Sequence, residues 1–474
     1  MRGFFKKKLE DAPLKYTFDD FLISPGPSDV IPAETNTKTR ISPNIEMNIP
    51  IISAPMDTVT GFDMAVMMAR LGGLGAVHYN MKIEEQAEVI KKIKKYESLI
   101  IRNVITITPD YTVADILRLS EEKNISSFPV VENNRLVGII TERDFRLAKL
   151  NTLARELMTR DVISAEENIN MEDAMKILHE NKIEKLPLLD KSGRLVGMIT
   201  LRDIMNRKKY PNATRDQNGQ LVVAAATNLD ENRVEKLLNA GADIIIVETA
   251  HGHNRKVIEF TRLLRKNYDC EIISGNIATA EAAEDLIAAG ADCVKVGVGP
   301  GSICTTREVT GIGVPQLGAV ADVADVASAH GAYCIADGAI KTSGDIAKAI
   351  AAGADAVMLG NLLAGTKEAL GEVVIWNGKK FKKYRGMGSK GAMAERYFQK
   401  QSKFVPEGVS GIVPYKGDVK DVIFSLVGGL KSAMGYVGAK NIKEMKTKSR
   451  FVKVSFHGKL ESRPFNINII DELV

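Results

Sequence analysis

The tetrapeptide Ala-Gly-Ala-Asp occurs three times in this chain, at residues 240–243, 289–292 and 352–355. Each copy follows a stretch with helical spacing of apolar residues and comes just before a short apolar run. A glycine at that place is typical of the end of a helix. The repeat therefore predicts, three times over, a helix that ends and a buried strand that begins.

Eight apolar runs have the length of buried strands, and helical stretches separate several of them. They are Ile51–Ser53, Leu74–His78, Leu221–Ala225, Ile244–Glu248, Glu271–Ser274, Cys293–Val298, Tyr333–Ala336 and Ala356–Leu359. This alternation predicts an α/β protein, a closed (β/α)₈ TIM barrel. An open doubly wound sheet is the alternative, but no G-x-G-x-x-G follows the first strand to open a dinucleotide site.

The first half of the chain contains an internal repeat. The segment Val137-Gly-Ile-Ile-Thr141 is repeated, with one change, as Val196-Gly-Met-Ile-Thr200. Arg-Asp follows each copy after one residue. The two copies, about 103–150 and 158–206, resemble a tandem pair of cystathionine-β-synthase (CBS) motifs. Two copies are too few for a solenoid. We therefore predict a compact CBS-pair domain over 96–209.

This domain interrupts the barrel, which accordingly takes residues 1–95 and 210–474. A long excursion of about 371–418 follows the last strand, and a segment of that length is more often functional than idle. The dipeptide Asn377-Gly378 within it predicts a hairpin turn of type I′.

Composition excludes several classes of function. The net charge of +5 over 474 residues is too small to indicate nucleic-acid binding. Apolar runs are too short for a membrane span, and the first ten residues do not resemble a secretory signal. The cysteines are widely spaced without a CxxC pair, which favours reduced thiols in the cytoplasm over disulfides or a zinc site.

Cys304 is the strongest candidate nucleophile. It lies in the glycine-rich segment Gly297-Val-Gly-Pro-Gly-Ser-Ile-Cys-Thr-Thr306, directly after an apolar run. Most free cysteines are small buried hydrophobic residues. A cysteine with only a packing role needs neither the flanking glycines nor the two hydroxyls that follow, so we interpret this one as a thiolate nucleophile at the mouth of the barrel.

The whole chain resembles the inosine-5′-monophosphate (IMP) dehydrogenase family. The motifs that carry this resemblance are Gly299-Pro-Gly-Ser-Ile-Cys-Thr-Thr306, Pro55-Met-Asp-Thr-Val59, Tyr384-Arg-Gly-Met-Gly-Ser389 and the dyad Arg396-Tyr397. The position of the CBS insert is also the same.

The resemblance implies NAD-dependent oxidation of IMP to xanthosine monophosphate (XMP). Cys304 would add to C2 of the purine, and hydride would leave to the nicotinamide. For hydrolysis of the resulting thioimidate, the excursion would bring Arg396 and Tyr397 to the site. Thr306 would position the water, and Glu407 would assist as a second base.

The resemblance also implies a set of binding residues. IMP would contact Met56, Ser302, Asp337, Gly338, Ala339, Gly360, Asn361, Tyr384, Met387, Gly388 and Glu407. NAD would contact Glu248, Thr249, Ala250, Asn276, Gly297 and Gly299. A potassium ion would be bound by the backbone carbonyls of Gly297, Gly299 and Cys304.

Three of these positions depart from the family pattern. Glu248 stands where an Asp is usual, Ala339 replaces a glycine of a phosphate-binding turn, and Asn361 replaces a serine. These changes bear on affinity more than on the type of reaction.

Two other functions compete with oxidation of IMP. GMP reductase resembles this barrel and shares the Cys-Thr-Thr loop, but it needs no hydrolytic dyad. A catalytically inactive nucleotide-sensing protein would keep the CBS pair and lose the catalytic residues. The presence of Cys304, Thr306, Asp337 and the Arg396-Tyr397 dyad favours the dehydrogenase. The resemblance further implies a homotetramer and adenine or guanine nucleotides as ligands of the CBS pair.

Overall fold

A computed structural model describes residues 4–96, 100–102, 104–394, 405–462 and 464 of the chain. The chain divides into two compact units. The first comprises Met1–Tyr96, Asn212–Gln217 and Leu221–Val474, and the second comprises Glu97–Pro211 and Asn218–Gln220.

The first unit is built around a closed barrel of eight parallel strands, which confirms the TIM-barrel prediction. In chain order, and numbered first to eighth below, the barrel strands are Ile51–Ser53, Leu74–Val77, Val223–Thr227, Ile244–Glu248, Glu271–Ile277, Cys293–Val296, Tyr333–Asp337 and Ala356–Leu359. The eighth strand pairs with the first and closes the barrel. The third strand begins two residues later than predicted, because Leu221 is paired with Arg215 before the barrel begins.

Helices follow the barrel strands. They are Phe62–Arg70, Ile83–Lys95, Glu231–Asn239, Arg255–Asn267, Ala280–Ala288, Thr306–Thr310, Gln316–Ala329, Ser343–Ala351, Asn361–Ala364 and Val419–Val437. The unit also contains helices Phe4–Glu10, Lys390–Ala394, Ile442–Lys448 and Phe456–Glu461, and the short 3₁₀ turns Phe18–Asp20 and Pro32–Glu34. The strand pairs Phe21–Ser24 with Arg450–Lys453 and Thr39–Arg40 with Glu46–Met47 lie outside the barrel.

The repeated Ala-Gly-Ala-Asp segments connect a helix to the next barrel strand in the same way each time. Their glycines have φ values of +98°, +102° and +108°, a left-handed conformation that only glycine adopts without strain. Each aspartate carboxylate then accepts a hydrogen bond from a backbone N–H of the preceding barrel strand: Asp243 from Val223, Asp292 from Ile272 and Asp355 from Cys334, at 2.7 to 2.9 Å. The glycine thus turns the chain, and the aspartate fixes the new strand beside its neighbour.

The excursion after the eighth strand contains a three-stranded antiparallel sheet. Its strands are Val373–Trp376, Lys379–Arg385 and Ser410–Pro414, with Lys379–Arg385 in the middle. Asn377 and Gly378 both have positive φ, +47° and +73°, which confirms the predicted hairpin turn.

The second unit consists of two similar halves, each with its own hydrophobic core. The first half contains strands Ser127–Glu132 and Arg135–Thr141 with helices Val113–Lys123, Glu142–Phe145 and Ala154–Leu157. The second contains strands Ala165–Glu166, Lys185–Leu189 and Leu195–Thr200 with helices Met171–Glu180 and Leu201–Lys209. Thr141 and Thr200 occupy equivalent places, since each hydrogen-bonds the aspartate three residues later, at the start of a helix. The internal repeat is therefore structural as well as sequential.

No helix in the described ranges is long and apolar enough to cross a membrane.

Candidate functional site

The loop that carries Cys304 leaves the sixth barrel strand through two glycines of positive φ. Gly297 has a φ of +152° and Gly299 one of +81°. A β-carbon on Gly297 would collide with the carbonyl oxygen of Asp337, so this loop passes closer to the seventh strand than any other residue type would allow. Cys304 itself is half-buried and forms no disulfide. These features place its thiol at the carboxyl end of the barrel, where barrel enzymes build their active sites.

A chain of hydrogen bonds links Cys304 to Glu407. The Cys304 thiol donates to Oγ1 of Thr306 at 3.2 Å, and the Thr306 hydroxyl donates to Oε2 of Glu407 at 2.9 Å. Sulfur, hydroxyl and carboxylate are therefore connected in one line. A proton can move between a nucleophile and a base along such a line.

Backbone pairing holds the returning end of the excursion against the cysteine loop. Cys304 is paired with Gly408 as in an antiparallel sheet, and the N–H of Val409 donates to the carbonyl of Ile303 at 3.0 Å. The N–H of Thr305 donates to the carbonyl of Glu407 at 3.1 Å. The carboxylate is thus fixed beside Thr306 by main-chain contacts on both sides of it. Arg396 and Tyr397, the predicted dyad, lie outside the described residues.

The middle strand of the excursion sheet is anchored at its end to the loop after the first barrel strand. Arg385 donates to the carboxylate of Asp57 from Nε and from Nη2, the latter at 2.8 Å. Tyr384 directs its hydroxyl to the sulfur of Met56 at 3.7 Å. Burial raises the pKa of Tyr384 to about 12, although a hydrogen bond with Ser302 acts in the opposite direction. These contacts gather Met56, Ser302 and Tyr384 at one point of the site.

Gly360, Met387 and Gly388 belong to the same region. A β-carbon on Gly360 would lie 2.9 Å from the Tyr384 hydroxyl and 3.0 Å from the Met56 sulfur. The carbonyl of Gly388 accepts from the N–H of Glu407 at 3.0 Å, so the outgoing and returning parts of the excursion meet there. Met387 lies in the turn just before Gly388 and is half-buried.

The loop after the seventh strand turns back over the cysteine loop. Gly338 has a φ of +98°, and the N–H of Ala339 donates to the carbonyl of Pro300 at 3.1 Å. Ala339 keeps a φ of +61°, so this alanine adopts the left-handed conformation that a glycine would hold without strain. Asn361 is the first residue of the short helix Asn361–Ala364 and is half-buried.

Asp337 and Asn276 meet where the fifth and seventh strands end. The Asn276 side-chain amide donates to Oδ2 of Asp337 and to the carbonyl of Gly297, both at 2.9 Å. Gln316 donates to the main-chain carbonyl of Asp337 at 3.0 Å. The aspartate is thereby held in orientation at both its side chain and its main chain.

The candidate cofactor residues continue from the fourth strand. Glu248 is its last residue, and burial raises the pKa of this carboxyl group despite the nearby Lys295 ammonium. The Thr249 N–H and hydroxyl both donate to the carbonyl of Gly275, at 3.0 and 2.6 Å. Ala250 is exposed. Thr249 and Asn276 also exchange a backbone hydrogen bond of 2.9 Å, which joins this loop to the fifth strand.

Two groups in the site were not selected from the sequence. Lys295 lies in the sixth strand, fully buried, with its ammonium at Asp337 and Glu248. A lysine between apolar strand residues is itself a signal, because buried lysines are rare unless paired. Asp57 and Arg385 form the second group. No local pattern relates them, since they lie far apart in the chain.

Among the described residues there is no cluster of three or more His, Cys, Asp or Glu side chains that could hold a metal ion. The predicted potassium ligands are backbone carbonyls. The Gly297 carbonyl accepts the Asn276 hydrogen bond and keeps one lone pair for another partner.

The model of the IMP dehydrogenase / GMP reductase domain matches residues 15–465 of this sequence. The chain belongs to this family. Among curated relatives, inosine-5′-monophosphate dehydrogenase of Methanocaldococcus jannaschii is 52% identical over 99% of this chain and 98% of its own length. The enzyme of the same name from Thermoplasma acidophilum is 48% identical, with the same coverage of both chains.

Solved structures in the family include a GMP reductase of Trypanosoma brucei in complex with guanosine 5′-monophosphate. It is 42% identical, has a TM-score of 0.89 and is matched over 97% of this chain and 100% of its own. Since the match extends over both chains almost completely, overall architecture does not separate the two activities within the family.

Proposed function

We propose that this chain is an IMP dehydrogenase that oxidises IMP to XMP with NAD⁺ in guanine nucleotide synthesis. The observation that carries the proposal is the hydrogen-bonded line of Cys304, Thr306 and Glu407 at the barrel mouth. It would supply a nucleophile, a hydroxyl that orients a water molecule and a carboxylate that takes a proton from that water. The names of the curated relatives, matched over nearly their full length, favour the same activity.

In the first half of the reaction, Cys304 forms a bond to C2 of the hypoxanthine ring. NAD⁺, when bound, accepts hydride from that carbon. The half-buried thiol releases its proton to water as the bond to C2 forms. The purine is left attached to sulfur as a thioimidate.

In the second half, water adds to C2, and the bond from C2 to sulfur breaks. Thr306 orients the water, and Glu407 takes a proton from it through the Thr306 hydroxyl. The sulfur regains a proton and XMP leaves. Arg396 and Tyr397 belong to this step by the family resemblance.

We assign the binding of IMP to groups that converge on the cysteine loop. Asp337 accepts from the ribose hydroxyls, and the loops at Gly338, Ala339, Gly360 and Asn361 hold the 5′-phosphate through backbone N–H groups. The remaining contacts are assigned to Met56, Ser302, Tyr384, Met387, Gly388 and Glu407.

The cofactor is assigned to the neighbouring strand ends. Glu248, Thr249, Ala250 and Asn276 would hold NAD, with Gly297 and Gly299 at the edge of the cysteine loop. Potassium would bind the carbonyls of Gly297, Gly299 and Cys304 and hold that loop in shape. Oxygen ligands suit such a hard cation.

The second unit is proposed to bind adenine or guanine nucleotides. Its two halves carry the same Thr-x-x-Asp arrangement at Thr141 and at Thr200, which is consistent with two related sites. A homotetramer in the cytoplasm completes the proposal, and both statements rest on family resemblance.

The test is absorbance of NADH after the protein is mixed with IMP, NAD⁺ and K⁺. We expect steady formation of NADH that Cys304→Ala abolishes while the variant still binds IMP. Cys270→Ala is the matched control, because Cys270 is another half-buried free cysteine. Sustained turnover by Cys304→Ala would refute the nucleophile assignment.

The competing activity has its own assay. A GMP reductase would instead release ammonia and form IMP from GMP and NADPH. An inactive sensor would give neither reaction, although its second unit would still bind nucleotides.

A further inference from the structure

The side chain of Lys295 is completely buried. No other lysine in the ion pairs that the structure describes is buried to this extent. It lies in the sixth barrel strand, and the strand residues on either side of it, Val294 and Val296, are buried and apolar. Burial of an ammonium is costly unless charged partners compensate for it. A buried lysine therefore needs charged or polar partners that offset the cost of its burial. The partners of Lys295 are residues of the proposed active site.

The Lys295 ammonium directs its protons to three strand ends. Its Nζ lies 2.6 Å from Oδ2 of Asp337 on the seventh strand and 3.1 Å from Oε2 of Glu248 on the fourth. It also donates to the side-chain oxygen of Asn276 on the fifth strand. An ammonium has three protons, so these three partners use its whole capacity.

The orientation of both carboxylates follows from this arrangement. Lys295 and Asn276 both donate to Oδ2 of Asp337. Within the described part of the chain, Oδ1 accepts no hydrogen bond and remains for a ligand hydroxyl. On Glu248, Lys295 Nζ donates to Oε1 at 3.3 Å and lies 3.1 Å from the buried Oε2. Asp337 thus keeps one oxygen for a ligand, whereas both oxygens of Glu248 face the ammonium.

We propose that Lys295 is a positioning residue that couples substrate binding to cofactor binding, because it holds Asp337 and Glu248 on one shared ammonium. The inference rests on the proposed function, in which Asp337 receives the ribose of IMP and Glu248 the cofactor. The protons of Lys295 are directed to protein groups, so its assigned role is to orient those groups.

The charges of the cluster make the coupling measurable. Two carboxylates share one ammonium, and among the described residues the other polar side chain that bonds to it is the neutral Asn276. Burial raises the pKa of Glu248, and the charge of Asp337 acts in the same direction, whereas Lys295 opposes both. Burial disfavours the charged form of Lys295, but the two carboxylates outweigh it and raise the pKa of this lysine. Without the ammonium, Glu248 would hold its proton to higher pH.

The first variant is Lys295→Met, which keeps the length of the side chain and removes its charge. We expect its affinity for IMP in calorimetry to fall about tenfold or more, as for loss of a charged hydrogen bond. We also expect the acidic limb of the pH profile of kcat/KM for NAD⁺ to move to higher pH. Lys295→Arg should keep the limb in place, and Lys266→Met, at an exposed lysine, should change neither quantity. A limb that stays in place in Lys295→Met would overturn the proposal.

The double variant Lys295→Met with Glu248→Gln tests whether Lys295 acts through its charge or only through the volume that its side chain fills. It restores the net charge of the cluster, so we expect it to recover part of the lost affinity for IMP and to fold even where the single variant does not. Additive losses, or equal loss of folding in both variants, contradict the proposal.

Calorimetry with IMP requires no turnover, so the two proposals fail separately. A wild-type protein that forms no NADH, but loses IMP affinity on Lys295→Met, keeps the coupling and rejects the oxidation. If the wild type turns over normally but the losses of IMP affinity in the double variant are additive, the oxidation stands and the coupling is rejected.

Discussion

The hydroxyl of Thr306 donates to the carboxylate of Glu407 at 2.9 Å, although 100 residues separate the two in the chain. The contact exists because the excursion after the eighth strand returns to pair with the cysteine loop at Gly408. A base held in this way cannot leave the site unless those backbone hydrogen bonds break. The geometry therefore ties the proposed hydrolytic step to docking of the segment that carries Glu407.

Glu407→Gln should slow hydrolysis and spare the first hydride transfer. The amide keeps the shape of the side chain but takes no proton, so we expect the steady rate to fall by about 10²-fold, the lower range for loss of a general base. A rapid-mixing experiment should still find one equivalent of NADH formed per site in the first turnover. Glu308→Gln, at an exposed glutamate beside the same loop, is the control. Loss of the initial burst would mean that Glu407 is needed before the thioimidate forms, and would contradict a role confined to hydrolysis.

The barrel could be predicted from the sequence because its signals are local. Each Ala-Gly-Ala-Asp segment contains both the glycine that ends a helix and the aspartate that fixes the next strand. The loop that carries Cys304 was also predictable, since an unusual density of glycine surrounds this residue. These features depend on neighbours in the chain, and no distant contact is needed to recognise them.

Long-range pairing is the part that the sequence did not reveal. Lys295 was missed because its partners lie on three other strands, and only closure of the barrel brings them together. The ion pair of Asp57 with Arg385 has the same origin. Ala339, in contrast, was recognised as a departure from the family, and the structure adds its backbone conformation.

Ala339→Gly should stabilise the protein slightly. The left-handed conformation costs an L-residue about 1–2 kcal/mol, whereas glycine loses about 0.5–1 kcal/mol of backbone entropy on folding. We therefore expect the free energy of unfolding in urea to rise by up to about 1 kcal/mol. Ala352→Gly is a matched control, because Ala352 has an ordinary φ of −81° and should lose stability. A lower stability for Ala339→Gly would mean that contacts of the methyl group outweigh the strain.

Lys382→Met should destabilise the excursion sheet. Its ammonium is buried and donates to the carbonyls of Thr366, Lys367 and Ala369. Methionine would leave the carbonyls of Lys367 and Ala369 without this donor, at about 1–3 kcal/mol for each group that stays buried and unpaired, whereas the Thr366 carbonyl keeps the N–H of Ala369 at 3.3 Å. We expect the free energy of unfolding to fall by about 2–4 kcal/mol in urea titrations. Lys383→Met, at the next residue, removes an exposed ammonium and should change it by less than about 0.5 kcal/mol. Equal effects of the two substitutions would contradict this account.

Because of His78, the stability of the protein should fall as the pH is lowered. Its ring is buried at the end of the second strand, and Nδ1 accepts from the N–H of Asn80 at 3.1 Å. Burial lowers the pKa of His78 to about 4, with Arg385 acting in the same direction and Asp57 against it. The unfolded chain, with an ordinary histidine pKa of 6.5, therefore binds a proton at higher pH than the folded protein does. By linkage, stability falls as the pH is lowered from about 6.5 toward 4.

The expected loss from His78 alone between pH 7 and pH 5 is about 2 kcal/mol, at 1.4 kcal/mol for each unit of pKa. Urea unfolding at the two pH values measures the total change, to which buried carboxylates and other histidines also contribute. The comparison that isolates His78 is His78→Gln, which cannot take up the proton and should show a change smaller by about 2 kcal/mol. His330→Gln, at an exposed ring, should behave as the wild type. If His78→Gln loses as much stability on acidification as the wild type, the buried ring is not the group that titrates, because removal of that group would have reduced the pH dependence.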